Sequence, residues 1–118
     1  LVKGCVDAFN PKVVQASMGA LAHLQCVERS AEEWVEWSAS NGRRLLVADM
    51  DGTPAAEMNW TSKDILVLGN EGQGCDVAFK AVGNKVTLPG NTAKMESLNV
   101  AISGATLLYA YATASSEL

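Results

Sequence analysis

Two kinds of apolar pattern divide the chain. Leu45 to Ala48 and Ile65 to Leu68 are unbroken apolar runs, as expected of strands covered on both faces in a parallel sheet. Val86-Thr87-Leu88 predicts a further short strand, and the apolar run Leu24 to Val27 predicts another that is buried. Leu1-Val2 reads as the end of a strand already under way. Between these runs the spacing is helical. Asn10-Pro11 sets a capping side chain before a proline at the first helical position, so a helix should run from Pro11 to about Ala20, with Gly19 helping to stop it. Ser30-Ala31-Glu32-Glu33 is a capping box whose serine and glutamate each satisfy an orphan amide. The stripe Ala31, Trp34, Val35, Ser38 follows it, and Asn41-Gly42 supplies a left-handed stop. Met95, Leu98, Ile102, Ala105 and Tyr109 step by three and four along a last helix of about four turns, with Ala112 to Leu118 fraying beyond it. Strand and helix alternate, which predicts an α/β fold with a parallel sheet flanked by helices.

Composition narrows this picture. A chain of 118 residues that is 48% hydrophobic and 19% charged suits one globular domain. No apolar run approaches the roughly 20 residues of a membrane span, and the start lacks the layout of a signal peptide, so the chain reads as cytoplasmic, with no membrane partner. Cys5, Cys26 and Cys75 lie far apart without metal-ligand or disulfide spacing; they read as small reduced core residues, and no metal is expected. The net charge of −4 argues against a dedicated nucleic-acid-binding surface, so any such grip must be local or come from another segment.

In parallel α/β sheets ligands bind beyond the carboxyl ends of the strands, which directs attention to the loops after Leu68 and Leu88. The first is Gly69-Asn70-Glu71-Gly72-Gln73-Gly74, whose glycines permit close backbone approach to a ligand or simply a tight turn. Its Gly-x-x-Gly-x-Gly spacing is not the dinucleotide fingerprint, and Cys75-Asp76 stands where a phosphate loop requires Lys-Ser or Lys-Thr. The second loop, Leu88-Pro89-Gly90-Asn91, leads through Lys94 to Glu96-Ser97-Leu98-Asn99 at the start of the last helix. There Ser97 and Asn99 either face a ligand or cap the helix.

Together, Ile65 to Gly74 and Val86-Thr-Leu-Pro89 followed by Glu96 to Ala101 closely resemble the second and third signature motifs of the SpoU (TrmH-like) RNA ribose methyltransferases. Asp7 to Val14 and Ala16 to Leu21 resemble that family's middle region, so the resemblance runs from about Asp7 to Tyr109. It implies a SPOUT-type α/β domain with a C-terminal trefoil knot, a homodimer paired through the knot region, and S-adenosylmethionine bent between the motif loops. Carried over residue by residue, the cofactor contacts are Leu68, Gly69, Asn70, Glu71 and Gly72, then Leu88, Pro89, Ser97, Leu98 and Asn99, with Met18, Gly19 and Ala20 as a weaker addition. Asn99, Glu71 and Ser97 would orient the catalytic site. The implied reaction is methylation of a ribose 2′-oxygen of tRNA or rRNA, which demands alignment and proton removal.

The departures matter as well. The family's first motif, with its arginine, normally lies upstream; residues 1–118 are expected to lack it and the N-terminal strand, and Arg29, Arg43 and Arg44 stand in the wrong part of the chain to replace it. Leu88-Pro89-Gly90 replaces the more usual Ile-Pro-Met. The alternative to an enzyme is a noncatalytic cofactor-binding or dimerisation module from the same family. His23 reads as a partly buried structural imidazole, and Trp34 and Trp37 as packing beside a solvated acidic face. Lys80, Lys85 and Lys94 flank the motif loops as a slightly basic rim.

Overall fold

The structure, a computed structural model, describes residues 1–70, 74–89 and 99–115. Helix α1 (Pro11–Ala16), a three-ten turn (Ala20–His23) and helix α2 (Ala31–Ser40) precede strand β1 (Arg44–Pro54). A second three-ten turn (Ala55–Glu57), β2 (Asp64–Val67), α3 (Val77–Val82), β3 (Asn84–Thr87) and α4 (Val100–Ser115) follow. β1 is the central strand, with β2 and β3 parallel to it on either side. The α/β architecture with a parallel sheet and helices on both faces is therefore as expected.

The unbroken apolar run of β1 is explained by burial on both sides. Leu45 and Val47 point to one face, where they pack with Ala31 of α2, Phe79 of α3, Val67 and Cys75. Leu46 points to the other, against Ala55, Trp60, Val86 and Leu107 of α4. Strand side chains alternate, so an apolar residue at every position is required when each face carries its own core. Trp60 and Tyr111 meet edge to face at 6.0 Å in the second core, and the Trp60 indole donates to the Ala55 carbonyl at 3.0 Å. α2 begins as its sequence dictates: the Ser30 hydroxyl accepts from Glu33 N at 3.1 Å and the Glu33 carboxylate accepts from Ser30 N at 3.2 Å. Gly42, at φ 60°, ends it.

Four expectations need correction. Leu24 to Val27 is not a strand, and Leu24 is exposed. A ladder forms only where a partner's register permits, and that partner is Leu1–Lys3, which meets Val27–Arg29. Leu1 N donates to Val27 O, Arg29 N to Leu1 O, and Lys3 N to Arg29 O. α1 stops at Ala16 rather than near Ala20, because Met18 (φ 52°) and Gly19 (φ 86°) both turn left-handed. On α4 the buried line is Gly104, Leu107, Ala110, Tyr111 and Ala114, whereas Ile102 and Tyr109 are exposed. The helix is apolar all round, so periodicity alone offered two faces, and the close approach allowed by Gly104 selects between them. Ala112 to Ser115 continue the helix instead of fraying. Met95 and Leu98 lie outside the described residues.

Candidate functional site

Three chain segments meet at the carboxyl end of the sheet. After β2 the chain closes on itself: Asn70 N donates to Gly74 O at 3.1 Å and Gly74 N to Asn70 O at 2.8 Å, forming a narrow neck between these two residues. Gly69 is obligatory at this neck, since a Cβ there would stand 2.3 Å from the Gly74 carbonyl carbon and 2.4 Å from Cys75 N. The close approach at Gly69 is thus made by the loop's own backbone. Gly74, at φ 71°, needs its glycine for conformational freedom. Beneath the neck, the buried Cys75 thiol lies 3.8 Å from Val67 O and 3.9 Å from Ala48 O, and burial pushes its pKa up.

The last helix is drawn to this loop. A Cβ on Gly104 would come within 2.7 Å of a Leu68 methyl, so α4 passes directly over the residue that opens the glycine loop. At its start, Asn99 Oδ1 accepts from Ala101 N at 2.9 Å and Ile102 N at 3.4 Å, and Asn99 O accepts from Ser103 N. Asn99 therefore caps α4, one of the two roles its position allowed. Beyond β3, Leu88 turns into the second core while Pro89 is exposed.

Sequence reasoning overlooked the loop between these two. β1 does not end at Ala48. Ala48 and Thr53 both pair with Val86, so Asp49-Met50-Asp51-Gly52 loops out from the central strand. Asp49 Oδ1 accepts from Met50 N at 2.7 Å and Asp51 N at 3.4 Å, and its Oδ2 lies 3.7 Å from Lys85 Nζ. Burial opposes its ionisation, but the two amides, Lys85 and Lys80 outweigh that and hold its pKa below the usual value. The Thr87 hydroxyl donates to Met50 O at 3.1 Å, fastening the excursion to the end of β3. The turn composition Asp-Met-Asp-Gly directly after an apolar run was the available signal.

Leu68, Gly69, Asn70, Leu88, Pro89 and Asn99 are thus gathered on the loops at one end of the sheet, while Glu71, Gly72, Ser97 and Leu98 lie outside the described residues, as does Lys94. Met18 is 92% exposed, and the backbone hydrogen bonds of Met18 and Ala20 go to Gln15 and Ser17 within their own segment. His23 is exposed at the end of its turn rather than partly buried. Cys75 is a core residue, but Cys26 is only half-buried and Cys5 is exposed; all three are free thiols. Trp34 packs against the first core and donates to Leu1 O at 2.8 Å, with Trp37 edge-on to it at 6.0 Å. Lys80 lies over Gly74 and Lys85 pairs with Asp49, so these two lysines adjoin the site. Among the described residues no helix is long and apolar enough to cross a membrane.

The chain is similar to known proteins in sequence and in fold. The chain is 31% identical over 107 residues to the 23S rRNA (guanosine(2553)-2′-O)-methyltransferase RlmP of Bacillus subtilis, an alignment covering 90% of this chain and 43% of that protein. It is 32% identical over 81 residues to a tRNA (cytidine(34)-2′-O)-methyltransferase of Ancylobacter novellus, covering 67% and 51%. The chain thus spans about half the length of these relatives. Its fold superposes on the SpoU methyltransferase AviRb of Streptomyces viridochromogenes, solved in complex with AdoMet, with a TM-score of 0.81 at 27% identity, covering 94% of this chain and 47% of that one. Residues 1–109 match the SpoU rRNA Methylase family, the stretch that contains both motif loops and most of α4, and the chain belongs to that family.

Proposed function

We propose that the chain is the S-adenosylmethionine-binding part of an RNA 2′-O-ribose methyltransferase acting on rRNA or tRNA. The observation that carries this reading is the packing of α4, at Gly104, against Leu68, the residue that opens the Gly69–Asn70 loop at the carboxyl end of a parallel sheet. The residues present fit the cofactor. Leu68 and Pro89 offer exposed apolar surface for the adenine and the methylene parts of the methionine, while the neck at Gly69 and Gly74 presents backbone rather than side chains. When bound, S-adenosylmethionine would supply the methyl group for a ribose 2′-oxygen, with the two motif loops holding the cofactor for that transfer.

Leu68, Gly69, Asn70, Glu71 and Gly72 with Leu88, Pro89, Ser97, Leu98 and Asn99 form the cofactor pocket in this reading, with Met18, Gly19 and Ala20 at its margin. Leu88 contributes through its backbone, since its side chain is in the core. Asn99 fixes the start of α4 and, with Glu71 and Ser97, orients the reacting groups without itself taking the proton. The C-terminal segment carrying α4 threads a trefoil knot, and the outward line of Ile102, Leu108 and Tyr109 on α4 pairs with a second copy. Residues 1–118 act as one domain of a cytoplasmic protein.

Calorimetric titration with S-adenosylmethionine and S-adenosylhomocysteine tests this function, with sedimentation velocity run alongside. Saturable one-to-one binding by a dimer is expected. A folded chain that binds neither molecule overturns the cofactor assignment, and a monomer at tens of micromolar, roughly the range expected of even a weak specific interface, overturns the pairing.

A further inference from the structure

We infer that Asp49 is a positioning residue for the cofactor, holding the Met50–Gly52 excursion as a wall of the pocket between the two motif loops. This rests on the cofactor reading above, but its evidence is separate. β1 is the central strand, so whatever leaves its carboxyl end stands between the loops that follow β2 and β3. The excursion is fastened on both flanks. Ala48, just before it, offers its carbonyl to the Cys75 thiol beneath the glycine neck, and Met50 offers its carbonyl to Thr87, one residue before Leu88.

Its shape depends on one side chain. A four-residue bulge that interrupts a ladder leaves amides unpaired, and Asp49 Oδ1 takes two of them, from Met50 and Asp51. The exit from the bulge is equally constrained: Gly52 stands at φ 149°, and a Cβ on it would lie 2.7 Å from the Lys85 backbone. Met50 is thereby held at the tip with its side chain more than half exposed, an apolar surface beside the mouth. The Asp49 carboxylate itself is only 22% exposed and faces Lys85. Its contribution is accordingly the turn it holds rather than a charge offered to the ligand.

Asparagine separates the two roles, because its Oδ1 can accept the same amides while the charge is gone. Asp49→Ala, Asp49→Asn and Thr87→Val are titrated with S-adenosylmethionine, which is cationic at sulfur, and with S-adenosylhomocysteine, which is not, and their thermal midpoints are recorded. Asp49→Ala should weaken both by about tenfold and by the same factor, as expected when an unmade hydrogen bond leaves the loop unordered. Asp49→Asn should bring both back to within about threefold of the parent, and Thr87→Val should weaken both by about threefold. Parent-like binding by Asp49→Ala overturns the inference. So does a loss in Asp49→Asn confined to S-adenosylmethionine, which would make Asp49 a charge contact. If Asp49→Ala fails to fold, parent-like binding by Thr87→Val overturns it instead. A parent chain that binds neither molecule defeats the cofactor reading itself, which distinguishes that failure from this one.

Discussion

The two ends of the sheet are held together in opposite ways. At the amino end the Arg44 guanidinium grips Asp64 in a fork, Nε to Oδ1 at 2.7 Å and Nη2 to Oδ2 at 2.8 Å. Asp64 also accepts from Thr61 N at 2.7 Å and from the Thr61 hydroxyl at 3.1 Å, and Arg44 reaches Asn59 O at 2.7 Å. Arg44 and Asp64 answer each other's charge, and the Asp64 side chain is 3% exposed. At the carboxyl end, missing side chains set the geometry: Gly69 against Gly74, Gly52 against Lys85, Gly104 against Leu68. An end closed in this way commits the Asp64 carboxylate to protein partners. An end closed by backbone contact keeps loops side by side with their surfaces available, so stability is concentrated below the sheet and binding above it.

The sharpest way to break this contrast is Gly69→Val. Its Cβ would enter space already filled by the Gly74 and Cys75 backbone, which no rotamer can relieve, so the neck must open. Cofactor affinity should fall at least 100-fold by calorimetry, a loss of about 2.7 kcal/mol. The amino end, far along the strands, should keep the fold, read as a cooperative thermal transition. Parent-like binding would mean that the neck does not shape the pocket.

The converse change is Asp64→Ala, which strands Arg44 and the Thr61 amide. With Arg44 one-third exposed, water compensates part of the loss, and a destabilisation of about 2 kcal/mol is expected, or roughly 10 °C in midpoint. Cofactor affinity measured well below that midpoint should change less than about twofold. The same cluster sets an acid limit. Burial raises the Asp64 pKa, but the hydrogen bonds from Arg44 and Thr61 outweigh burial and leave it below the usual value. The folded state therefore binds fewer protons than the unfolded one around pH 4. The stabilisation is complete above the unfolded carboxylate value of about 3.9 and is lost as pH falls through the lower folded value. Acid titration of the midpoint should show a shallower fall below pH 4 in Asp64→Ala than in the parent.

Legibility in the sequence follows the same division. β1 and β2 were readable because burial on both faces leaves an unbroken apolar run, and α2 because its capping box is local chemistry. The glycine loop and Asn99 were readable through their resemblance to family motifs. What could not be read depended on partners distant in the chain. The Val27–Arg29 pairing needs Leu1–Lys3, and the buried face of α4 needs Leu68 and Trp60 to select it. The Asp49–Gly52 excursion follows from a register jump against β3: its turn-forming composition hints at a break, but the pairing with Val86 on either side of it needs the distant strand.

The smallest expected effect, and the most discriminating, is Gly104→Ala. The atom its new methyl would meet is a Leu68 Cδ, the far end of a flexible side chain, so Leu68 can turn aside and the helix need shift only slightly. Alanine also raises helix propensity by up to about 1 kcal/mol relative to glycine, which offsets the crowding in stability measurements. The midpoint should therefore stay nearly unchanged or rise. Leu68, however, opens the glycine loop, and its displacement transmits the crowding to the cofactor side alone: a loss of about threefold in S-adenosylhomocysteine affinity is expected, with the second core unaffected. A fall in stability with binding intact would instead place the helix-to-loop contact among the structural supports, and the two ends of the sheet would then differ less than their contacts indicate.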